Sequence, residues 1–169
     1  PQRPQPVGHR VLGPHRDPHL CHRYTSSLDL ARIDRLTLES LRIEAGVGRW
    51  GKDYGPDNLP QETGALSEAV DFEKGCYLGQ EIVARLHYLG NPRRLLQPLS
   101  IEGVDEVNEG ADLVSEGERV GTLTSVTRSA AGTSWLALSV VPRKLLESRA
   151  RLELEDGREV SIRYGLLEA

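Results

Sequence analysis

A chain of 169 residues with 38% hydrophobic content and a net charge of -4 has room for one large domain or two small ones. Its 25 acidic and 21 basic residues are spread along the chain, without the basic stripe of a dedicated nucleic-acid binder. No apolar run approaches the ~18 residues of a membrane-spanning helix, and Pro1-Gln2-Arg3-Pro4 lacks the apolar region of a signal peptide. Cys21 and Cys76 form no disulfide framework, so a reducing cytoplasm is the expected compartment.

Residues 1–27 hold five of the ten prolines and four of the five histidines, with few aliphatic residues. Such a segment buries too little apolar surface to offset its chain entropy, and an irregular leader is expected. His15, His19, Cys21 and His22 fit no common zinc spacing, and Pro14 and Pro18 interrupt any shared helical face, so no metal site is expected. Order is expected from Ser26-Ser27, which are plausible caps with Asp29 in the first turn. Leu30, Ile33, Leu36, Leu41 and Ala45 then recur at helical spacing until Gly46 and Gly48. Glu44 falls in the last turn, where the helix dipole disfavours a carboxylate. It is either a solvated or arginine-paired carboxylate, or an acceptor for a ligand's N–H groups.

Gly46 to Gly64 is punctuated as a long loop, the kind that is usually functional or mobile. Trp50 and Tyr54 lie in it as stacking surfaces or as a staple to the core. A helical turn is expected at Ala65–Val70 and an extended piece at Asp71-Phe72.

The stretch Lys74-Gly75-Cys76-Tyr77-Leu78-Gly79-Gln80-Glu81 concentrates reactive groups among glycines just before an apolar helical run. A thiol beside an ammonium at a helix start favours the thiolate; the plainer alternative for Cys76 is a small buried hydrophobe. Lys74 is a cation for that thiol or a snorkelling side chain, Tyr77 a ligand wall or core, and Gln80 a ligand contact or a backbone cap. Leu78–Leu89 reads as a helix, with Ile82, Leu86 and Leu89 on one face and Val83 beside them. Glu81 and Arg85, four apart, suit a surface pair.

After Gly90-Asn91-Pro92 the period becomes two. Leu95–Ile101 is a strand with a bulge or sheet edge expected at Pro98. Short strands follow around Val114, Val120, Leu123 and Val126, with Gly117 and Gly121 as turn or bulge positions. Trp135–Val141 is a continuous apolar strand, and Asp156-Gly157 is a hairpin turn between Arg151–Glu155 and Val160–Tyr164. About six strands in so short a span predict a small antiparallel barrel.

Three stretches together resemble a known family: Leu41-Arg42-Ile43-Glu44-Ala45-Gly46, then Lys74 to Glu81 with Val83-Ala84-Arg85, then Arg93-Arg94-Leu95. They resemble the YgfZ-type folate-binding proteins, relatives of the glycine-cleavage T-protein (aminomethyltransferase), over about residues 28–169. The resemblance implies an α+β fold: 28–91 as part of a T-protein-like folate-binding domain with ferredoxin-like α/β elements, and 92–169 as a C-terminal β-barrel. It implies tetrahydrofolate as cofactor, with Glu44 facing the pterin and Arg93 or Arg94 reaching a carboxylate. Trp50, Tyr77, Gln80, Glu81 and Arg85 become further binding candidates, and Cys76, with Lys74, the reactive pair. A family member has roughly twice this length, so the chain is expected to be the C-terminal part, without the aspartate that T-proteins use. Leu38 stands where some relatives carry a stacking tryptophan.

The function so implied is a folate-dependent accessory protein that supports iron–sulfur proteins and, through them, tRNA modification. Its expected partners are folate and iron–sulfur client proteins, with neither direct nucleic-acid binding nor a membrane. The alternatives are an aminomethyltransferase, and a degenerate interaction module that has lost folate and associates with itself or with a missing half.

Overall fold

The structure, a computed structural model, describes residues 33–163 except 65, 104, 130 and 131. The expected leader, its histidines and Cys21, the Ser26-Ser27 helix start and Tyr164 lie outside the described residues. From Asp34 onward the described residues form one unit, in which short helices precede and cover a seven-stranded antiparallel sheet.

Helix α1 spans Arg35–Glu44. The Asp34 carboxylate caps its start, accepting from the Thr37 N–H at 2.7 Å. Its end is a Schellman turn: Gly46 sits at φ +70°, its N–H bonds Ile43 O, and the Val47 N–H bonds Arg42 O. The buried face is not the expected leucine stripe. Ile43 and Ser40 point to the sheet, whereas Leu36 and Leu41 are more than half exposed. The reason is the polar anchoring of this helix: Ser40 donates to Arg128 O at 2.8 Å, and Arg42 is drawn into a buried ion-pair network.

That network organises the glycine-rich loop. The Asp53 carboxylate is buried, and it accepts from Arg42 Nη1 (2.9 Å), the Arg49 N–H (2.9 Å) and Thr124 Oγ1 (2.6 Å). Glu39 takes Arg42 from the other side at 3.0 Å and also pairs with Arg49. Gly48 is a position where only glycine fits without adjustment, since a Cβ would stand 2.6 Å from Leu96 Cδ2 and 2.8 Å from the Tyr54 ring.

A 3-10 turn at Pro60–Glu62 and helix α2 at Leu66–Ala69 follow, the latter as expected; Asp71-Phe72 bends instead of running extended. Helix α3 spans Gln80–Leu89, starting two residues later than the spacing predicts because Gly79 adopts φ +84°. Val83 of this helix is buried, whereas Ile82, and Leu78 just before the helix, are exposed.

Strand β1 is Arg94–Glu102, β2 Asp112–Ser115, β3 Glu118–Thr122, β4 Ser125–Arg128 and β5 Ser134–Pro142. Helix α4 (Arg143–Glu147), β6 (Leu152–Leu154) and β7 (Glu159–Ile162) complete the described chain. The order is β3-β2-β6-β7-β1-β5-β4. Glu116 and Gly117, both at positive φ, make the tight β2–β3 hairpin. The register shift after Leu113 is the bulge expected near Gly121, and Gly157 at φ +84° makes the β6–β7 turn.

Pro98 corrects its expectation. It lies in the interior strand β1, in regular register with Leu138 and with no bulge. Its carbonyl accepts from the Arg163 N–H at 3.0 Å. Its nitrogen therefore faces the β7 side, where the paired residues begin only at Leu99, so the missing N–H interrupts no ladder bond.

The sheet curls until Gly121 of β3 lies against Ser139 and Val140 of β5. Leu95, Leu99, Ile101, Leu113, Leu123, Ala137, Val141 and Leu152 fill the inside. The other face of β1 and β5 presents Leu96, Leu136 and Leu138 to Ile43 of α1. Thus one strand pair supports both the curled core and the helix that carries Glu44. No helix among the described residues is long and apolar enough to cross a membrane.

Candidate functional site

Two concave regions hold three of the expected site residues, Glu44 in one and Arg93 and Arg94 in the other. The first lies between α1 and the edge strand β4. It is a pocket of about 480 Å³ whose walls include Leu36, Leu41, Val126 and Trp135, with Ser40, Thr37, Thr127, Ser129, Arg128 and Glu44 as polar groups. Its size falls within the range of small-molecule sites. Glu44 is partly exposed and its Oε1 accepts from Arg163 Nη2 at 2.7 Å. The arginine-paired alternative for Glu44 is therefore present, yet one guanidinium bond leaves the carboxylate with capacity to accept more. The expected stripe residues Leu36 and Leu41, turned away from the core, line this pocket.

Trp135 and Arg163 were not singled out from the sequence. The Trp135 Nε1–H is buried without an acceptor among the described residues, and Arg128 stacks on its ring at 4.8 Å. Trp135 reads as one more residue of an apolar strand; only its being one of two tryptophans hinted at a role. Arg163 gave no signal, because its pairing with Glu44 spans 119 residues of sequence.

The second region is an open groove of about 940 Å³ between the 3-10 turn and α4, lined by Arg93, Arg94, Arg143 and Lys144 with Glu62 and Glu147. Four cations face two carboxylates there, in a chain whose overall charge is -4. Arg94 approaches the buried Glu62 at 3.5 Å, and Arg143 pairs with Glu147 at 2.7 Å. Arg93 and Lys144 have no side-chain partner among the described residues, so the groove has a standing preference for anions.

The Lys74–Glu81 stretch forms neither region. Cys76 is exposed, which removes the buried-hydrophobe alternative, and it lies four residues before α3, beyond the reach of that helix's first turn. Lys74 Nζ sits 4.8 Å above the Tyr77 ring. Tyr77 is half-buried with an unpartnered hydroxyl, and its N–H donates to Gln80 Oε1 at 3.3 Å, so Gln80 acts as a local cap. Glu81 and Arg85 form an exposed pair at 3.0 Å, of a kind that contributes little. Trp50 is 67% exposed and meets only the edge of Tyr54 at 5.9 Å; Tyr54, not Trp50, is the staple to the core. His87 stacks on Phe72 at 3.9 Å. Among the described residues no hydrogen bond or ion pair joins this stretch to Glu44. Its link to the rest runs through the 3-10 turn, where Gln61 donates to Val83 O at 2.7 Å.

Glu44 thus lies on an apolar pocket with a tryptophan, and a cation-rich groove lies on the same sheet. No family model matches the chain. Curated relatives do. The chain is 32% identical over 118 residues to an aminomethyltransferase of Nostoc sp., covering 69% of this chain and 31% of that protein. It is 33% identical over 122 residues to the tRNA-modifying protein YgfZ of Serratia proteamaculans (69% and 36%). It is 30% identical over 130 residues to the human mitochondrial iron-sulfur cluster assembly factor IBA57 (72% and 34%). In fold it is similar to the glycine cleavage system aminomethyltransferase T of Bartonella henselae, with a TM-score of 0.67 and 24% identity over 86% of this chain and 42% of that one. The chain belongs to the family that these aminomethyltransferases, YgfZ and IBA57 proteins form, and spans about a third of the length of the curated relatives it matches.

Proposed function

We propose that this chain is the folate-binding part of a YgfZ-type accessory protein, which takes tetrahydrofolate and supports iron–sulfur proteins and, through them, tRNA modification. In this reading residues 28–91 belong to a T-protein-type domain with ferredoxin-like elements, and residues 92–169 to its C-terminal barrel. The relatives named for tRNA modification and for iron–sulfur cluster assembly support it. The observation that carries it is Glu44, held by Arg163 on the wall of a pocket that also contains Trp135.

The residues present fit the group. Glu44 offers a carboxylate to the amino edge of a pterin, two N–H donors for one acceptor group. Leu36, Leu41 and Trp135 supply apolar surface for a flat ring, and the Trp135 N–H is a donor still without a partner. Arg93 or Arg94 takes the carboxylate end. Arg163, which holds Glu44, also bonds Pro98, and the chain from Pro98 back to Arg93 runs five residues, roughly 16 Å at strand spacing. A ligand that reaches both ends must be elongated. Tetrahydrofolate, when bound, supplies one-carbon carrier chemistry; the chain's own residues bind and orient it.

Cys76 is the candidate reactive group, its exposed thiol open to a client protein. Because it is exposed, Cys76→Ala leaves stability within about 0.5 kcal/mol of wild type. In cells lacking the wild-type protein, the variant is expected not to restore iron–sulfur enzyme activity. Full restoration overturns the thiol's role, and loss of the fold assigns Cys76 to structure. A second reading, aminomethyl transfer, is favoured by the Nostoc relative; formation of methylene-tetrahydrofolate from an aminomethyl-loaded carrier protein would put it first.

A further inference from the structure

A pair of buried polar side chains lies on the inside of the curled sheet. Leu95, Leu99 and Ile101 of β1 belong to its core, and Gln97, of the same strand parity, points among them. On β5, Ala137 and Val141 face inward, with Ser139 between them. Gln97 and Ser139 are both 0% exposed and are direct cross-strand partners in the β1–β5 register. Neither amide atom of Gln97 nor the Ser139 hydroxyl has a hydrogen-bond partner among the described residues. Gly121 of β3 closes the third side: a Cβ there would stand 2.8 Å from Ser139 Oγ and 3.7 Å from Leu113 Cδ2.

An amide and a hydroxyl with no partner are expensive inside an apolar core, where a leucine and an alanine of similar shape would serve packing better. Gln97 offers two donors and an acceptor, and Ser139 a donor and acceptor. A molecule that both donates and accepts can partner all three of these atoms. The close approach of the Gly121 backbone to Ser139 favours the smallest such molecule. We infer that one internal water bridges Gln97 Nε2 and Oε1 to Ser139 Oγ inside the curled sheet. Three protein atoms fall within the two to four partners that a buried water needs. It bridges β1 to β5 between Arg94 and Pro98, and so helps fix the strand that links the groove to the Glu44 pocket.

The test is oxygen-17 magnetic relaxation dispersion on the whole 169-residue protein, wild type beside the Gln97→Leu/Ser139→Ala double variant. Wild type is expected to show one more long-lived water than the variant, and equal amplitudes overturn the inference. Should the variant fail to fold, wild type alone decides. Magnetisation transfer from long-lived water to the Gln97 side-chain amide protons is expected, and a dry amide overturns the inference.

Discussion

Asp53→Ala lowers the stability of the folded chain by about 3–5 kcal/mol, the cost of removing one partner from a buried ion pair. Its carboxylate is the meeting point of α1, the glycine-rich loop and the sheet, through Arg42, the Arg49 N–H and Thr124. Removal leaves the Arg42 guanidinium, itself largely buried, with one carboxylate fewer, and it frees the loop from β4. Urea unfolding at neutral pH reads the loss as a lower midpoint with an unchanged slope. A change below about 1 kcal/mol would mean that the network is solvated and does not hold the loop. The pH dependence carries the same signature. Burial alone raises the Asp53 pKa, but the bonds from Thr124 and Arg49 and the Arg42 charge outweigh it and hold the carboxyl below its ordinary value. A group depressed in the folded state contributes fully above its unfolded pKa, near 3.9, and loses that contribution as pH falls through the folded value. Wild type should therefore lose stability below about pH 4 more steeply than Asp53→Ala. Asp34 and Asp156, also held low, remain in both proteins and cancel in the difference.

Leu96→Ala is the second large effect, about 2–5 kcal/mol for truncating a fully buried leucine in a site that cannot collapse. Leu96 fills the space between Ile43 of α1 and Leu136 and Leu138 of β5, and Gly48 packs on its methyl. The cavity thus opens under the helix that carries Glu44. Thermal and urea unfolding measure the loss, with Leu99→Ala, buried on the inner face, as the companion. Both should lose stability, and only Leu96→Ala should loosen α1, read as faster amide exchange over residues 38–44. Equal exchange in the two variants would detach Leu96 from the helix.

The strands were legible because their signals are local. Alternation in Arg151–Glu155, the Asp156-Gly157 turn and the apolar Trp135–Val141 run each specify a strand without reference to anything distant. The helix faces were less so. In α1 the leucine spacing marks an apolar stripe, but which stripe meets the sheet was decided by Ser40, Arg42 and Asp53, polar residues whose partners are far away in sequence. Pro98 read as a bulge or an edge because the period carries no information on which neighbour its nitrogen faces. In the site, Glu44 and the Arg93-Arg94 pair stood out through their motifs. Trp135 and Arg163 did not, since only the packing of β4, β5 and β7 around α1 brings them to Glu44. The Lys74–Glu81 stretch is conspicuous in sequence, yet its side chains pair only locally, with one another or with Arg85. Its exposed Cys76 lines neither of the two pockets.

The measurement that tests the central claim most directly is a calorimetric titration of the whole chain with tetrahydrofolate, wild type beside Glu44→Ala. The account predicts saturable binding in wild type and its loss in the variant, with the fold of both verified by their unfolding curves. Binding that survives in Glu44→Ala, or no binding by wild type, would contradict a pterin site on the Glu44 pocket of this chain.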